Sequence, residues 1–85
     1  MQIQVKFFAS LREALGVSAD SVHLPGDSGS AADVLAALRA RGGAWIEALA
    51  EERSFRVAVD QCMATTASAV RHGSEVAFFP PVTGG

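Results

Sequence analysis

At 85 residues the chain has room for one domain with a single small core. Its 49% hydrophobic and 19% charged residues suit a folded globule rather than a disordered chain. A net charge of −2 without a basic cluster argues against nucleic-acid binding, and one cysteine, Cys62, excludes an internal disulfide framework or a Cys-rich metal site.

Residues 2 to 8 alternate as a strand, with Ile3, Val5 and Phe7 on the core face and Gln2, Gln4, Lys6 and Phe8 on the other. Phe8 is an aromatic on an otherwise polar face. The same alternation lacks the basic start and apolar block of a signal peptide, and no apolar run is long enough to span a bilayer. The expectation is a cytoplasmic protein with no membrane partner.

Ser10-Leu11-Arg12-Glu13 has the form of a capping box, which predicts a short helix over 11–15, with Leu11, Ala14 and Leu15 as its apolar stripe and Gly16 as its stop. Residues 17 to 24 read as a second strand, Val22 and Leu24 inward and His23 outward, closed by Pro25-Gly26-Asp27. Ser30 and Asp33 form a second capping-box start. The main helix follows over 31–41, with Ala31, Val34, Leu35 and Leu38 on one face. Gly42-Gly43 ends it. Trp45, Ile46 and Leu49 predict a short helix over 44–51 laid on the core, and Glu51 to Ser54 read as a solvated connection.

Phe55, Val57 and Val59 are the inward positions of a third strand over 55–60. Asp60-Gln61 reads as a tight turn into a return strand near 62–66. Residues 67 to 70 carry no periodic signal. His72-Gly73-Ser74 is a turn into a last strand over 75–79, with Val76 and Phe78 inward and Glu75, Ala77 and Phe79 outward. One long helix across a mixed sheet is an α+β architecture with a single covered face. If the first two strands pair as a hairpin and the last lies beside the first, the arrangement is a ubiquitin-like β-grasp.

The residue types that carry catalysis or bind metals do not cluster. His23 and His72 stand far apart in the sequence, with no cysteine or carboxylate at ligand or triad spacing, and both read as surface residues. Cys62 beside Met63 reads as a small packing residue rather than a nucleophile. No metal site and no permanently bound cofactor is expected. Phe8 and Phe79, by contrast, fall on the uncovered face of adjoining strands, with Met63 as a third member and Lys6 and Arg12 as a polar rim. An aromatic patch of that kind marks a partner site.

Beyond Phe79 the chain changes character. Pro80 and Pro81 donate no backbone hydrogen bond, so the sheet stops there and the chain continues extended. Val82, Thr83, Gly84 and Gly85 have too little apolar surface to dock on their own domain, and the two glycines fit where a Cβ would collide. The reading is a domain over 1–79 and a slim flexible tail over 80–85, tipped by a carboxylate and reaching roughly 20 Å. A carboxylate is inert as an acyl donor until a partner activates it, for example as an acyl adenylate. A sulfur nucleophile then leaves a thiocarboxylate and an amine leaves an amide.

The run Gly73-Ser74-Glu75-Val76-Ala77-Phe78-Phe79-Pro80-Pro81-Val82-Thr83-Gly84-Gly85 closely resembles the end of the small subunit of molybdopterin synthase, as do Phe7-Phe8-Ala9, Leu11-Arg12-Glu13 and Val57-Ala58-Val59-Asp60-Gln61. Asp60 departs from the asparagine that the family's turn carries. The resemblance implies a β-grasp fold and a sulfur carrier for molybdenum cofactor biosynthesis, a non-catalytic sulfur-donor subunit. Gly85, following Gly84, would be adenylated in an ATP-dependent step by a ubiquitin-activating-like adenylyltransferase, then sulfurated to a thiocarboxylate. The large synthase subunit would take up the tail, Pro80 to Thr83 included, for sulfur transfer to cyclic pyranopterin monophosphate. The implied assembly is a heterotetramer of two small and two large subunits, with Phe8 and Phe79 lining the interface. Rival readings are a sulfur carrier for thiamine thiazole formation, a ubiquitin-like modifier, and an interaction domain with an inert tail.

Overall fold

The computed structural model describes residues 1–50 and 55–80. The solvated connection expected at 51–54, and Pro81, Val82, Thr83, Gly84 and Gly85 of the tail, lie outside the described residues.

Among the described residues ten elements follow one another: β1 (Gln2–Phe7), α1 (Ala9–Leu15), β2 (Ala19–His23), β3 (Gly29–Ser30), α2 (Ala31–Arg39), α3 (Ala44–Ala48), β4 (Arg56–Val59), β5 (Cys62–Ala64), β6 (Ala69–Val70) and β7 (Glu75–Phe79). Five strands form one mixed sheet in the order β2-β1-β7-β4-β5. β1 and β2 pair antiparallel, as a hairpin-type connection requires, while β7 lies parallel to β1 in the middle. The α+β, β-grasp expectation describes this topology.

One face of the sheet carries the core. Ile3, Val5 and Phe7 of β1, Val76 and Phe78 of β7, and Val57 of β4 are buried against Val34, Leu35 and Leu38 of α2 and against Leu49. In β1 the alternation translates directly into burial, whereas in β7 the outward Ala77 is buried along with Val76 and Phe78. Phe78 is the hub. Its ring stacks on Phe7, centroids 6.0 Å apart, and meets Phe55 edge to face at 6.0 Å, while Trp45 covers the other side of Phe7 at 5.6 Å. Full burial of a side chain of this kind contributes about 2–3 kcal/mol.

The helix starts differ. Ser30 caps α2: its hydroxyl accepts from the Asp33 N–H while the Asp33 carboxylate accepts from the Ser30 N–H, the full capping box. The box expected at Ser10 does not form. α1 begins two residues earlier, with Phe8 as its cap and no side-chain cap bond. The Phe8 carbonyl accepts from the Leu11 and Arg12 N–H groups instead. β1 runs into the helix without a linker, and the sharp reversal places Ala9 at φ +52°. Ala14, expected on the apolar stripe, is exposed.

Three further expectations are corrected. Ile46 is 53% exposed rather than core-facing, because α3 is a five-residue helix that turns Ala48 inward and leads to the buried Leu49. The stretch 67–70, unreadable in sequence, contains β6, which pairs antiparallel with β3 in a two-stranded sheet. Cys62 is exposed, because β5 is an edge strand flanked by β4 alone, so Cys62 is not a packing residue. No helix among the described residues is long and apolar enough to cross a membrane.

Candidate docking face and tail root

The uncovered face of the sheet is built by register. Lys6 lies opposite Ala77, Ala77 opposite Ala58, and Ala58 opposite Met63, so one row crosses four strands. Its middle is floored by two alanines, which are 8% and 9% exposed although they face outward. They sit on β7 and β4, two of the inner strands, where larger neighbours shield a methyl group.

The next row stands at the end of β7. Phe78 pairs with Phe7, so the following residues, Phe79 and Phe8, emerge side by side. Their rings meet edge to face, centroids 6.4 Å apart at 77°. The Phe8 N–H donates to the Phe78 carbonyl at 3.2 Å, which fixes the point where β1 leaves the ladder. Phe8 is 46% exposed and Phe79 half-buried. Met63, at 61% exposure, is on the same face but on β5, with β4 between it and β7. The aromatic pair is therefore brought together as expected, and Met63 stands apart as a separate apolar point. Pro80 follows directly, outside the strand.

The polar rim is partly satisfied. The Lys6 ammonium lies 3.6 Å from the Glu75 carboxylate. Arg12 is exposed on α1, one turn beyond Phe8, its backbone N–H donating to the Phe8 carbonyl. Sequence reading missed Arg56. It opens β4 and lies directly opposite Phe79 in the β4–β7 register. Strand alternation places it on the outer face, but only the pairing of two segments distant in sequence reveals its neighbour.

The start of β7 is anchored by the turn between β4 and β5. The Asp60 N–H donates to the Glu75 carbonyl at 2.8 Å, and the Asp60 carboxylate accepts from the Glu75 N–H at 2.9 Å. Asp60 and Gln61 both have positive φ, 50° and 67°, the geometry of a two-residue primed hairpin turn. Asparagine suits such a turn because its side-chain oxygen accepts, and the Asp60 carboxylate accepts in the same way. His72 is exposed, as expected, but not idle: its Nδ1 accepts from the Gln2 N–H at 3.0 Å. His23 is exposed on β2. Among the described residues no three His, Cys, Asp or Glu side chains converge in a group that suits a metal ion.

The sequence profile of the ThiS family matches residues 5–85. The molybdopterin synthase sulfur carrier subunit of Haemophilus influenzae is 43% identical over 83 residues, covering 98% of this chain and 99% of the relative. That of Escherichia coli strain K12 is 36% identical over the same share of both chains. Among solved structures, SAMP1 from Haloferax volcanii superposes with a TM-score of 0.79 at 29% identity, each chain covered in full. The β-grasp topology, the full-length relatives and a family match that runs through the Gly-Gly end together show that this chain belongs to the ThiS family.

Proposed function

We propose that this chain is the sulfur carrier subunit of a molybdopterin synthase, with Gly85 as the atom-bearing end. The observation that carries the reading is the combination of an outward-facing Phe8–Phe79 ring contact with a strand that stops at Pro80 and a sequence that leads on to Gly84-Gly85. The relatives' shared name supports it. The domain holds a partner through the aromatic pair, and residues 80–85 deliver the terminal carboxylate to that partner's active site.

The chemistry follows from the carboxylate. Ionised at neutral pH, it is a nucleophile towards the α-phosphorus of ATP. A carboxylate oxygen bonds to that phosphorus as pyrophosphate leaves, giving an acyl adenylate. A sulfur nucleophile at the oxidation level of sulfide then attacks the acyl carbon, and AMP leaves with the former carboxylate oxygen. The thiocarboxylate so formed is a compact sulfur donor on the large subunit, which receives the tail. An adenylating enzyme supplies the first step. This chain supplies reach, a docking base and two residues without side chains at the tip.

A second reading is favoured by the likeness to SAMP1, whose counterpart structure is described as a small archaeal modifier protein. The same activated carboxyl would then form an amide with a lysine amine on a target protein. Intact-mass measurement of the protein from cells making the cofactor separates the two. Replacement of one oxygen by sulfur at Gly85 supports the carrier, isopeptide-linked conjugates support the modifier, and a pool with neither overturns both.

A further inference from the structure

The basic side chains of this part of the molecule differ in how far contacts among the described residues engage them. Lys6 is paired with Glu75. Arg41 is committed to Asp20. Arg56 is exposed, lies opposite Phe79, and makes no ion pair, hydrogen bond or ring contact among the described residues. It stands on a chain whose net charge is −2, so its sign runs against the molecule as a whole.

An arginine beside an outward-facing aromatic pair is the composition of an interface hot spot. The guanidinium is a flat fork of donors that matches a carboxylate, and it is only weakly hydrated, so it gives up water at modest cost when a partner closes over it. A small phosphorylated ligand would need several donors converging on one point. Arg56 instead stands on β4 at the rim of an apolar row, which suits one acidic side chain on a protein surface.

Resting on the sulfur-carrier reading for the partner's identity, we propose that Arg56 is a specificity-determining residue of the docking face: the protein that receives the tail presents an Asp or Glu carboxylate opposite Arg56, beside an apolar socket for the Phe8–Phe79 pair. The arginine selects the partner and fixes the register in which the sheet meets it. Correct register is what sends a narrow tail into an active site rather than past it.

The test is calorimetric titration of the full chain into the purified large synthase subunit from the same organism, at low and high salt, for wild type and for Arg56→Ala, Arg56→Lys and Arg56→Glu. Arg56→Ala is expected to weaken binding about tenfold at low salt and Arg56→Glu further. Arg56→Lys should fall between wild type and Ala, since it keeps the charge and loses the fork. These differences should shrink at high salt, with melting temperatures unchanged. Wild-type affinity in Arg56→Glu, or a loss that merely tracks a lower melting temperature, overturns the inference and leaves the carrier reading standing. Absence of binding by the wild type itself overturns the carrier reading and the inference with it.

Discussion

The rings of Phe8 and Phe79 touch edge to face because β1 and β7 run parallel and in register up to Phe7 and Phe78. One residue further, both chains leave the ladder from the same row, one into α1 and the other into Pro80. The aromatic pair and Pro80 are thereby tied to a single point. Loosening either strand end would displace both.

Phe8→Ala therefore separates docking from folding. Phe8 lies outside the core, and its loss should lower stability by about 0.5–1.5 kcal/mol, the worth of one edge-to-face pair. Binding to the large subunit should fall by more than tenfold, as expected for an aromatic anchor. Urea unfolding and titration calorimetry on the same variant check this. A stability loss as large as that of a core phenylalanine, with affinity intact, would place the ring in the core.

The two serine starts provide a matched pair. Ser30→Ala removes a hydroxyl that accepts from the Asp33 N–H and should cost about 1 kcal/mol. Ser10→Ala should stay within about 0.5 kcal/mol, because the Phe8 carbonyl, not Ser10, serves the first turn of α1. Equal losses in chemical denaturation would show that α1 is capped by its serine after all.

That contrast also shows what the sequence discloses. β1 and β7 were legible because strict alternation of large apolar residues fixes which side is buried, and Pro80 fixes where the strand stops. α2 was legible because its cap and apolar stripe agree. Ser10 carries the same cap pattern, but the turn out of β1 at Ala9 brings a backbone carbonyl to the helix start first. β3 and β6 have two residues each, too few for any period, and exist only because distant segments meet. On the docking face, Phe8 and Phe79 stood out as aromatics at polar positions. Arg56 looked ordinary in an alternating strand until register set it against Phe79.

Arg41 joins the end of α2 to the sheet edge. Its guanidinium is 2.7 Å from the Asp20 carboxylate, donates to the Ser21 carbonyl at 2.9 Å, and lies 4.6 Å from the centre of the Trp45 ring. Arg41→Ala should cost about 1–2 kcal/mol at neutral pH, since three modest interactions are lost together. The Arg41 hydrogen bond, helped by the Ser21 N–H, holds the Asp20 carboxyl below its ordinary value of 3.8. A folded value below the unfolded one means that the contribution is fully present above pH 3.8 and is lost as pH falls through the folded value. Asp20→Asn should accordingly be less stable than wild type at neutral pH, with the gap closing under acid. Urea midpoints measured down the acid limb test the sign: a gap that widens there would contradict it.

The proposed function requires sulfur to reach its acceptor through Gly85. The most direct measurement combines wild-type chain and a variant lacking Gly85, each treated with ATP, the adenylating enzyme and a sulfide source, then mixed with the large subunit and cyclic pyranopterin monophosphate. Dithiolene product is expected from the wild type and none from the truncated chain, with the same melting temperature for both. Equal product from the two chains would contradict it.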